Sequence, residues 1–270
     1  MKSTLLLLLS FILLSSCSKD EIGIPVPETQ KIIHISHTRD NTQGVIHPKL
    51  QDLPLDQYKM HLLGGDLDLF TSADTETIQI WDDYFNFSSP NTLWSLGNHD
   101  TSNRNLVEEA TERPSFYTYT AYDICFLVLD TELDLSNITG EQLELVKAVT
   151  DTISESKNLI VMTHKLLWLQ GNDEVASFLE SVPNGGPGDC GFCTNPNNFY
   201  NDVYPLLTEV QNRGVDVWCI AGDLGIKTSE FSYTLPEGIS LIASGLNVWA
   251  EENKIIELER IEGGNWSWKC

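Results

Sequence analysis

Apolar and polar positions follow two different patterns along most of the chain. Short runs that are almost continuously apolar are typical of strands buried on both faces of a sheet. They lie at 31–36, 60–63, 92–96, 124–129, 158–162 and 215–221. Apolar residues at helical spacing occur between some of these runs, and they predict helices over 75–85, 140–153 and 200–213.

The order of these elements predicts one domain, from residue 31 to residue 270. Strands alternate with helices as far as residue 221, and the pattern from 231 to 268 indicates mostly short strands. Such an order is typical of an α/β fold in which a β-sandwich is flanked by helices. The segment is long enough for a single sizeable core, and it contains no internal repeat.

Residues 1–16 have the pattern of a lipoprotein signal peptide. Lys2 precedes an apolar run from Leu5 to Leu14, which is too short to span a membrane, and small residues follow. The segment Leu14-Ser15-Ser16-Cys17 resembles a lipobox, in which the cysteine is acylated. We therefore predict that Cys17 carries the lipid, and the alternative is an ordinary secretory signal with an incidental cysteine.

Residues 17–30 are polar and contain Pro25 and Pro27, a composition that predicts a tether between the lipid and the domain. The lysine and acidic residues of Ser18-Lys19-Asp20-Glu21 resemble the export tag of surface lipoproteins. We expect a lipid-anchored protein of the bacterial envelope, attached to the outer membrane and exposed at the cell surface.

The net charge limits the class of partner. The chain has a formal charge of -23, with 39 acidic and 16 basic residues. Nucleic-acid binding relies on basic surfaces, so a nucleic-acid partner is not expected.

Five cysteines remain after Cys17. Cys125 and Cys219 lie within apolar runs and are expected to be buried. Cys190 and Cys193 lie in a loop rich in glycine and proline, without the further ligands that a structural zinc site needs. In an exported protein, a local disulfide is the better interpretation of this pair.

Clusters of polar residues follow five of the apolar runs. They are Ser36-His37-Thr38-Arg39, Gly64-Gly65-Asp66-Leu67, Gly97-Asn98-His99-Asp100, Thr163-His164 and Gly222-Asp223-Leu224-Gly225. Because ligands of open α/β sheets bind at the carboxyl ends of the strands, these clusters are expected to meet in one site.

In type and order, the five clusters resemble the motifs of the calcineurin-like metallophosphoesterases. The resemblance extends from Ile32 to Gly225, and Gly97-Asn98-His99-Asp100 is its most specific part. It implies that Asp66 bridges two divalent metals, that Asn98 and His164 bind one of them, and that His99 assists the leaving group as an acid. Two metals activate hydroxide and neutralise charge on the phosphoryl oxygens in such centres.

The chain departs from the family at the first and fifth motifs. Where the family has Asp-x-His, this chain has His37 and Arg39, and where it has Gly-His-x-His, the two histidine positions hold Asp223 and Gly225. The first metal therefore loses at least two ligands, although His37 could still bind a metal or the substrate. The set implied for the second metal is Asp66, Asn98, His164 and Asp223.

Arg39 replaces a metal ligand with a fixed positive charge. A guanidinium stays protonated and has only donors, so Arg39 cannot bind a metal but can hold a phosphate with two parallel hydrogen bonds. We therefore expect one metal plus Arg39 in place of two metals. The oxygen-rich ligand set favours manganese or magnesium, without excluding zinc or iron.

Two functions follow from this reading. The first is metal-dependent hydrolysis of a small-molecule or glycan phosphoester at the cell envelope, with Arg39 and His99 as catalytic residues and Arg39 and His37 contacting the substrate. The second is a non-catalytic surface lipoprotein that binds an anionic sugar phosphate or glycan in the same pocket, because a scaffold can persist after its chemistry is lost.

Overall fold

The computed structural model describes residues 29–39, 42–176, 197–224, 230–246, 254–261 and 263–270. The predicted signal peptide, the lipidation site Cys17, nearly all of the tether and the Cys190–Cys193 pair lie outside these residues. Across the described part of the chain, none of the helices has the length and apolar character needed to cross a membrane.

Strands and helices alternate through the first two thirds of the domain, and strands predominate after that. The strands are β1 (Thr29–Ile35), β2 (Met60–Leu63), β3 (Thr92–Trp94), β4 (Tyr117–Ala121), β5 (Ile124–Val128), β6 (Asn158–Thr163), β7 (Asp216–Ala221), β8 (Glu230–Thr234), β9 (Ser240–Ser244), β10 (Ile256–Ile261) and β11 (Ser267–Lys269). The helices are α1 (Pro48–Gln51), α2 (Thr75–Phe85), α3 (Arg104–Thr111), α4 (Gly140–Thr152), α5 (Asp173–Ala176) and α6 (Tyr204–Asn212).

The strands form two mixed sheets. The five-stranded sheet has the order β11-β10-β1-β2-β3, and the six-stranded sheet has the order β4-β5-β6-β7-β9-β8. β1, β2 and β3 run parallel to one another, as do β5, β6, β7 and β9. The carboxyl ends of the parallel strands in each sheet therefore lie at one edge, where ligands bind in open α/β sheets.

Each sheet buries both of its faces. On β5, Phe126 and Val128 pack in the core between the sheets, whereas Cys125 and Leu127 pack in the core that includes α4 and α6. On the other sheet, Ile33 of β1 packs in a separate core that includes α2 and α3. Because both faces are covered, the strands are continuously apolar in sequence. The predicted sandwich flanked by helices is confirmed.

The structure corrects the helix predicted over 200–213. Here the chain first forms a π-helical turn over Phe199–Val203, and the α-helix α6 begins at Tyr204. Pro205 stands in the first turn of α6, a position that a proline tolerates because its missing N–H needs no helical partner there.

Candidate metal centre

Five of the predicted site residues meet at the carboxyl ends of two parallel pairs of strands, one pair in each sheet. His37 and Arg39 follow β1, Asp66 follows β2, His164 follows β6 and Asp223 follows β7. One ligand atom from each of His37, Asp66 and Asp223 lies within 4.8 Å of the others, and all three residues are buried. Histidine and carboxylate groups at such separations can share one cation.

The two carboxylate oxygens of Asp66 face different partners. Oδ2 accepts a hydrogen bond from Nε of Arg39 at 3.2 Å and lies 3.7 Å from Nε2 of His37. Oδ1 lies 3.5 Å from Nε2 of His164 and accepts a hydrogen bond from the backbone N–H of His99 at 3.1 Å. Burial alone would raise the pKa of Asp66, but the neighbouring histidines and Arg39 hold this pKa below its usual range.

His164 has the orientation of a metal-binding imidazole. Its Nδ1 lies 2.8 Å from the carbonyl oxygen of Gly64 and must donate to it, because a carbonyl only accepts. Its Nε2 is buried without a hydrogen-bond partner in the described structure, 3.5 Å from Asp66 Oδ1 and 3.8 Å from Asp223 Oδ1. In neutral His164 this nitrogen carries the lone pair that a metal would use.

The charge of His164 follows from the same contacts. Burial lowers the pKa of a histidine, but the carboxylates of Asp66, Asp223 and Glu132 outweigh burial and raise the pKa of His164 to about 9. A cation bound among these carboxylates would take the place of this proton, so the donor set fits a divalent metal.

The backbone is strained at two of the candidate ligands. His37 and Asp66 have φ values of 53° and 54°, in the left-handed region that costs a residue other than glycine about 1 to 3 kcal/mol. The His37 N–H donates to the carbonyl of Gly65 at 2.8 Å, and the Arg39 N–H donates to the carbonyl of Asp66 at 3.3 Å. These bonds hold the two ligand loops against each other.

Two glycines permit the close approach of these loops. A Cβ atom at Gly97 would lie 2.2 Å from Oδ1 of Asp66, and one at Gly222 would lie 2.1 Å from the carbonyl oxygen of Gly64. Both distances are far shorter than a normal contact. The glycines of the Gly-Asn-His-Asp and Gly-Asp-Leu-Gly clusters are therefore required by packing around the site.

Asp100 positions the loop that carries Asp66. Its Oδ2 accepts hydrogen bonds from the N–H groups of Asp66 at 2.7 Å and Gly97 at 2.8 Å, and its Oδ1 accepts from Leu67 at 3.2 Å. Burial, with the charge of Asp66 as a second cause, raises the pKa of Asp100 to about 6. This residue thus acts on the site through the backbone of its neighbours.

His99 lies at the rim of the cluster. Its Nδ1 is 2.6 Å from the carbonyl oxygen of Leu69, so Nδ1 donates and Nε2 lies on the side of Asp66, at 4.0 Å from Oδ2. The ring of Phe70, which is 45% exposed, lies 5.8 Å from the ring of His99. His99 is therefore the partly exposed histidine of the site, with an apolar wall beside it.

Asn98 is placed differently from the other predicted ligands. It is exposed in the turn after β3, and its backbone carbonyl accepts a hydrogen bond from Thr101 Oγ1 at 3.4 Å. No hydrogen bond of its carboxamide to the buried cluster occurs within the described ranges. His37, rather than Asn98, lies close to the carboxylates of Asp66 and Asp223. Gly225 lies outside the described residues.

Comparison with solved structures shows which known fold this chain is similar to. A dimetal phosphatase from Danio rerio is 13% identical over 86% of this chain and 93% of its own, with a TM-score of 0.53. The fold is that of the calcineurin-like metallophosphoesterases. The sequence matches no family model and no curated protein.

Two nucleotidases are similar to this chain at lower scores. They are the NAD nucleotidase of Haemophilus influenzae and a 5'-nucleotidase precursor from Thermus thermophilus, each 13% identical with a TM-score of 0.43. The first comparison covers 91% of this chain and 50% of the nucleotidase, and the second covers 90% and 54%. The chain thus spans about half the length of these two proteins.

One charged residue that affects the pKa of His164, Glu132, lies outside the five sequence motifs. The carboxylate of Glu132 raises the pKa of His164, and Nζ of Lys165 lies 3.0 Å from its Oε2. Burial raises the pKa of Glu132, while the charges of His164 and Lys165 oppose this shift. A signal was present, because Asp130-Thr131-Glu132 follows an apolar run as the five motifs do, but it matches none of them.

Proposed function

We propose that this protein is a divergent metal-dependent phosphoesterase that uses one metal together with Arg39 in place of two metals. The arrangement around Asp66 carries this proposal. Arg39 contacts Oδ2 of this buried carboxylate, while His37 and Asp223 lie within metal-binding distance of it. A guanidinium therefore lies beside the carboxylate that bridges two metals in the resembling family.

The donor set supports one divalent ion held by His37, Asp66, His164 and Asp223. Two imidazoles and two carboxylates suit manganese, iron or zinc. Magnesium is less favoured than the sequence alone indicated, because magnesium prefers oxygen ligands and His37 adds a nitrogen. Asn98 remains a predicted ligand only, since its exposed turn supplies no contact that supports the role.

Each residue has a chemical task in this proposal. A divalent ion there would act as a Lewis acid toward the phosphoryl group and lower the pKa of water. The Nε of Arg39 is held by Asp66, and its amino groups would bind phosphoryl oxygens and stabilise the negative charge that develops on them. His99, fixed through Nδ1, would give a proton from Nε2 to the leaving alkoxide.

A phosphatase assay tests this proposal directly. The purified protein would be loaded separately with manganese, iron, zinc and magnesium and assayed with p-nitrophenyl phosphate and bis(p-nitrophenyl) phosphate. We expect hydrolysis that requires the metal, stops with a chelator and is lost in Asp66→Asn. If the folded, metal-loaded protein hydrolyses neither ester, the proposed hydrolase function is rejected.

The exposed position of Asn98 favours a second function, a non-catalytic protein that binds an anionic sugar phosphate or glycan in the same pocket. Such a protein needs Arg39 and the metal to hold the anion, but it needs no activated water. Calorimetric binding of a sugar phosphate without its turnover would support this function.

The place of action is proposed from the sequence. The lipobox-like segment ending at Cys17 supports a lipid anchor in the bacterial envelope, at the outer membrane and facing outward. The charge of -23 supports a small-molecule or glycan phosphoester as substrate and disfavours nucleic acid.

A further inference from the structure

The loop after β2 reverses the usual arrangement of polar and apolar side chains. Asp68, Thr71 and Ser72 are buried, whereas Phe70 between them is 45% exposed. Among the residues that the structure describes, Phe70 is the only phenylalanine, tyrosine or tryptophan that is exposed. An aromatic ring in water forgoes most of the stabilisation that its burial would give. The fold of this loop therefore does not depend on burial of the Phe70 ring.

The polar side chains of this loop are engaged within the protein. Oδ2 of Asp68 accepts a hydrogen bond from Nε1 of Trp81 at 2.7 Å. Oγ1 of Thr71 donates to Oδ1 of Asp100, and Oγ of Ser72 donates to the backbone carbonyl of Asp100 at 2.7 Å. A ligand that contacts this loop would therefore meet the exposed aromatic ring and not the buried hydroxyl and carboxylate groups.

Two hydrogen bonds fix the position of Phe70 beside His99. Nδ1 of His99 donates to the carbonyl of Leu69 at 2.6 Å, and the backbone N–H of Thr71 donates to the carbonyl of His99 at 3.0 Å. Phe70 is thus held through both of its chain neighbours. Its ring centroid lies 5.8 Å from that of His99, at an interplanar angle of 39°. Nε2 of the same imidazole lies 4.0 Å from Oδ2 of Asp66, so the exposed ring adjoins the candidate metal centre.

A ligand can reach both rings from solvent. The side chain of His99 is 20% exposed and Phe70 is 45% exposed, whereas Asp66 below them is 1% exposed. In the proposed reaction, Nε2 of His99 gives a proton to the leaving oxygen, so the first carbon of the alcohol part lies next to this imidazole. A ring attached to that carbon would be within reach of the exposed face of Phe70. Aromatic pairs gain free energy from such a contact through burial and through their quadrupoles.

We infer that Phe70 binds an aromatic ring on the alcohol part of the phosphoester, so that the protein selects esters of aromatic alcohols over esters of linear aliphatic ones. This inference rests on the proposed phosphoesterase function and names its substrate class. A sugar ring fits this wall less well, because its hydroxyls need polar partners and the polar side chains of the loop are already engaged.

Two esters with alcohols of similar acidity but different shape test the inference. Turnover of benzyl phosphate and n-butyl phosphate would be measured with the manganese-loaded protein, and glucose 1-phosphate would add a hydroxylated ring. Calorimetry would give the dissociation constants of the non-hydrolysable phosphonate analogues of all three esters. This second readout needs no catalysis.

Three variants of Phe70 separate the aromatic ring from its apolar surface. Phe70→Ala removes both, Phe70→Leu keeps an apolar side chain without a ring, and Phe70→Tyr keeps the ring. Ile261→Ala is the matched control, because Ile261 is also an exposed apolar residue. It pairs with Thr29 at the start of β1, at the edge of the sheet opposite to the site.

We expect the wild type, Phe70→Tyr and Ile261→Ala to prefer the benzyl ligand to the butyl ligand in kcat/KM and in affinity. Phe70→Ala should lower this preference about tenfold through weaker binding of the benzyl ligand. Phe70→Leu should keep only part of the preference, because it provides apolar contact without the electrostatics of a ring.

Equal affinity of the wild type for the benzyl and butyl ligands would overturn the inference. An equal loss for both ligands in Phe70→Ala would also overturn it, because Phe70 would then act only by positioning His99. So would a Phe70-dependent preference for the glucose ligand over the benzyl ligand, or no binding of any phosphonate. A Phe70-dependent preference for the benzyl phosphonate, without turnover of any ester, would uphold the inference and reject the hydrolase. Failure of the proposed function is thus distinguishable from failure of this inference.

Discussion

Arg39 donates through Nε to Oδ2 of Asp66 across 3.2 Å, in a pair whose side chains are 14% exposed for Arg39 and 1% exposed for Asp66. This contact differs from the surface ion pairs that most arginines form, which contribute under about 1 kcal/mol to stability. It gives Oδ2 of Asp66 a cationic partner, while Oδ1 faces His164.

The first prediction is that Arg39→Ala lowers turnover but leaves the metal bound, because arginine is not itself a ligand. Loss of a charge-assisted contact to the phosphoryl group should cost about 2 to 4 kcal/mol in transition-state stabilisation. Steady-state kinetics and elemental analysis of the same preparation measure both quantities.

Two further variants at this position separate charge from geometry. Arg39→Lys should rescue little, since an ammonium lacks the planar fork of donors. Arg39→His restores the residue type of the resembling family and could recruit a second ion. Unchanged kinetics in a folded, metal-loaded Arg39→Ala variant would show that Arg39 pairs with Asp66 but takes no part in turnover.

A second prediction concerns metal stoichiometry. The protein should retain about one divalent ion per chain after dialysis, because His37, Asp66, His164 and Asp223 supply one set of ligands and Arg39, beside Asp66, cannot bind a metal. His164→Ala should lower this content, since Nε2 of His164 lies between the two carboxylates. A stable content near two ions per chain, measured by elemental analysis, would contradict the single-metal proposal.

The strands were predictable from the sequence because both faces of each sheet are covered. All six predicted runs match strands, namely β1, β2, β3, β5, β6 and β7, to within two residues at each end. Helix α3 and strand β4 were not predicted. Helix α3 buries only Val107 and Thr111, and β4 is a half-buried edge strand of alternating tyrosine and threonine without an apolar run.

The sequence predicted those site residues whose positions are determined by the ends of strands. His164 and Asp223 meet because β6 and β7 are parallel neighbours, and Asp66 joins them from the end of β2 in the other sheet. The direction of Asn98 could not be predicted, because periodicity says nothing about a side chain in a turn. The same applies to the pairing of Glu132 with Lys165, which joins the loops after two neighbouring strands.

A third prediction is acid destabilisation through His34. Burial, with the charge of His164 as a second cause, lowers the pKa of His34 from 6.5 to about 3. In this range the unfolded chain binds a proton that the folded protein does not. The stability from neutral His34 is therefore fully present above pH 6.5 and is lost as the pH falls toward 3, by at most about 1.4 kcal/mol per pH unit.

Urea unfolding between pH 4 and pH 7 would measure this loss, with a chelator present so that metal release does not contribute. His34→Asn keeps a donor near Ser244 but cannot titrate, so its pH slope should be shallower than that of the wild type. His37, whose pKa burial lowers to about 4, would account for part of the remaining slope. Equal slopes in wild type and variant would show that His34 does not cause the effect.

The fourth prediction tests the lipid anchor. Cys17→Ser should abolish incorporation of radiolabelled fatty acid, because only the thiol can receive the diacylglyceryl group. The labelled band of the wild type should also be released from membranes by detergent and not by salt. Equal labelling of wild type and variant would mean that Cys17 is not the acylated residue.

The last prediction uses Gly97, where the fold and the site depend on the same missing side chain. The Cβ of alanine would lie 2.2 Å from Oδ1 of Asp66 and 2.8 Å from Cε1 of His164. Gly97 is not among the glycines with positive φ, so Gly97→Ala acts through this contact and not through the backbone. Displacing Asp66 should remove most of the metal and the activity, with a loss of about 1 to 3 kcal/mol in unfolding free energy.

Gly264→Ala is the matched control, because its nearest contact is a backbone oxygen at 3.1 Å outside the site. Elemental analysis, circular dichroism and urea unfolding of both variants separate metal loss from unfolding. We expect Gly264→Ala to keep its metal and Gly97→Ala to lose it. With a chelator present, so that no variant carries metal, Gly97→Ala should still be folded. A folded Gly97→Ala protein with full metal content would show that Asp66 does not need its observed position to bind the ion.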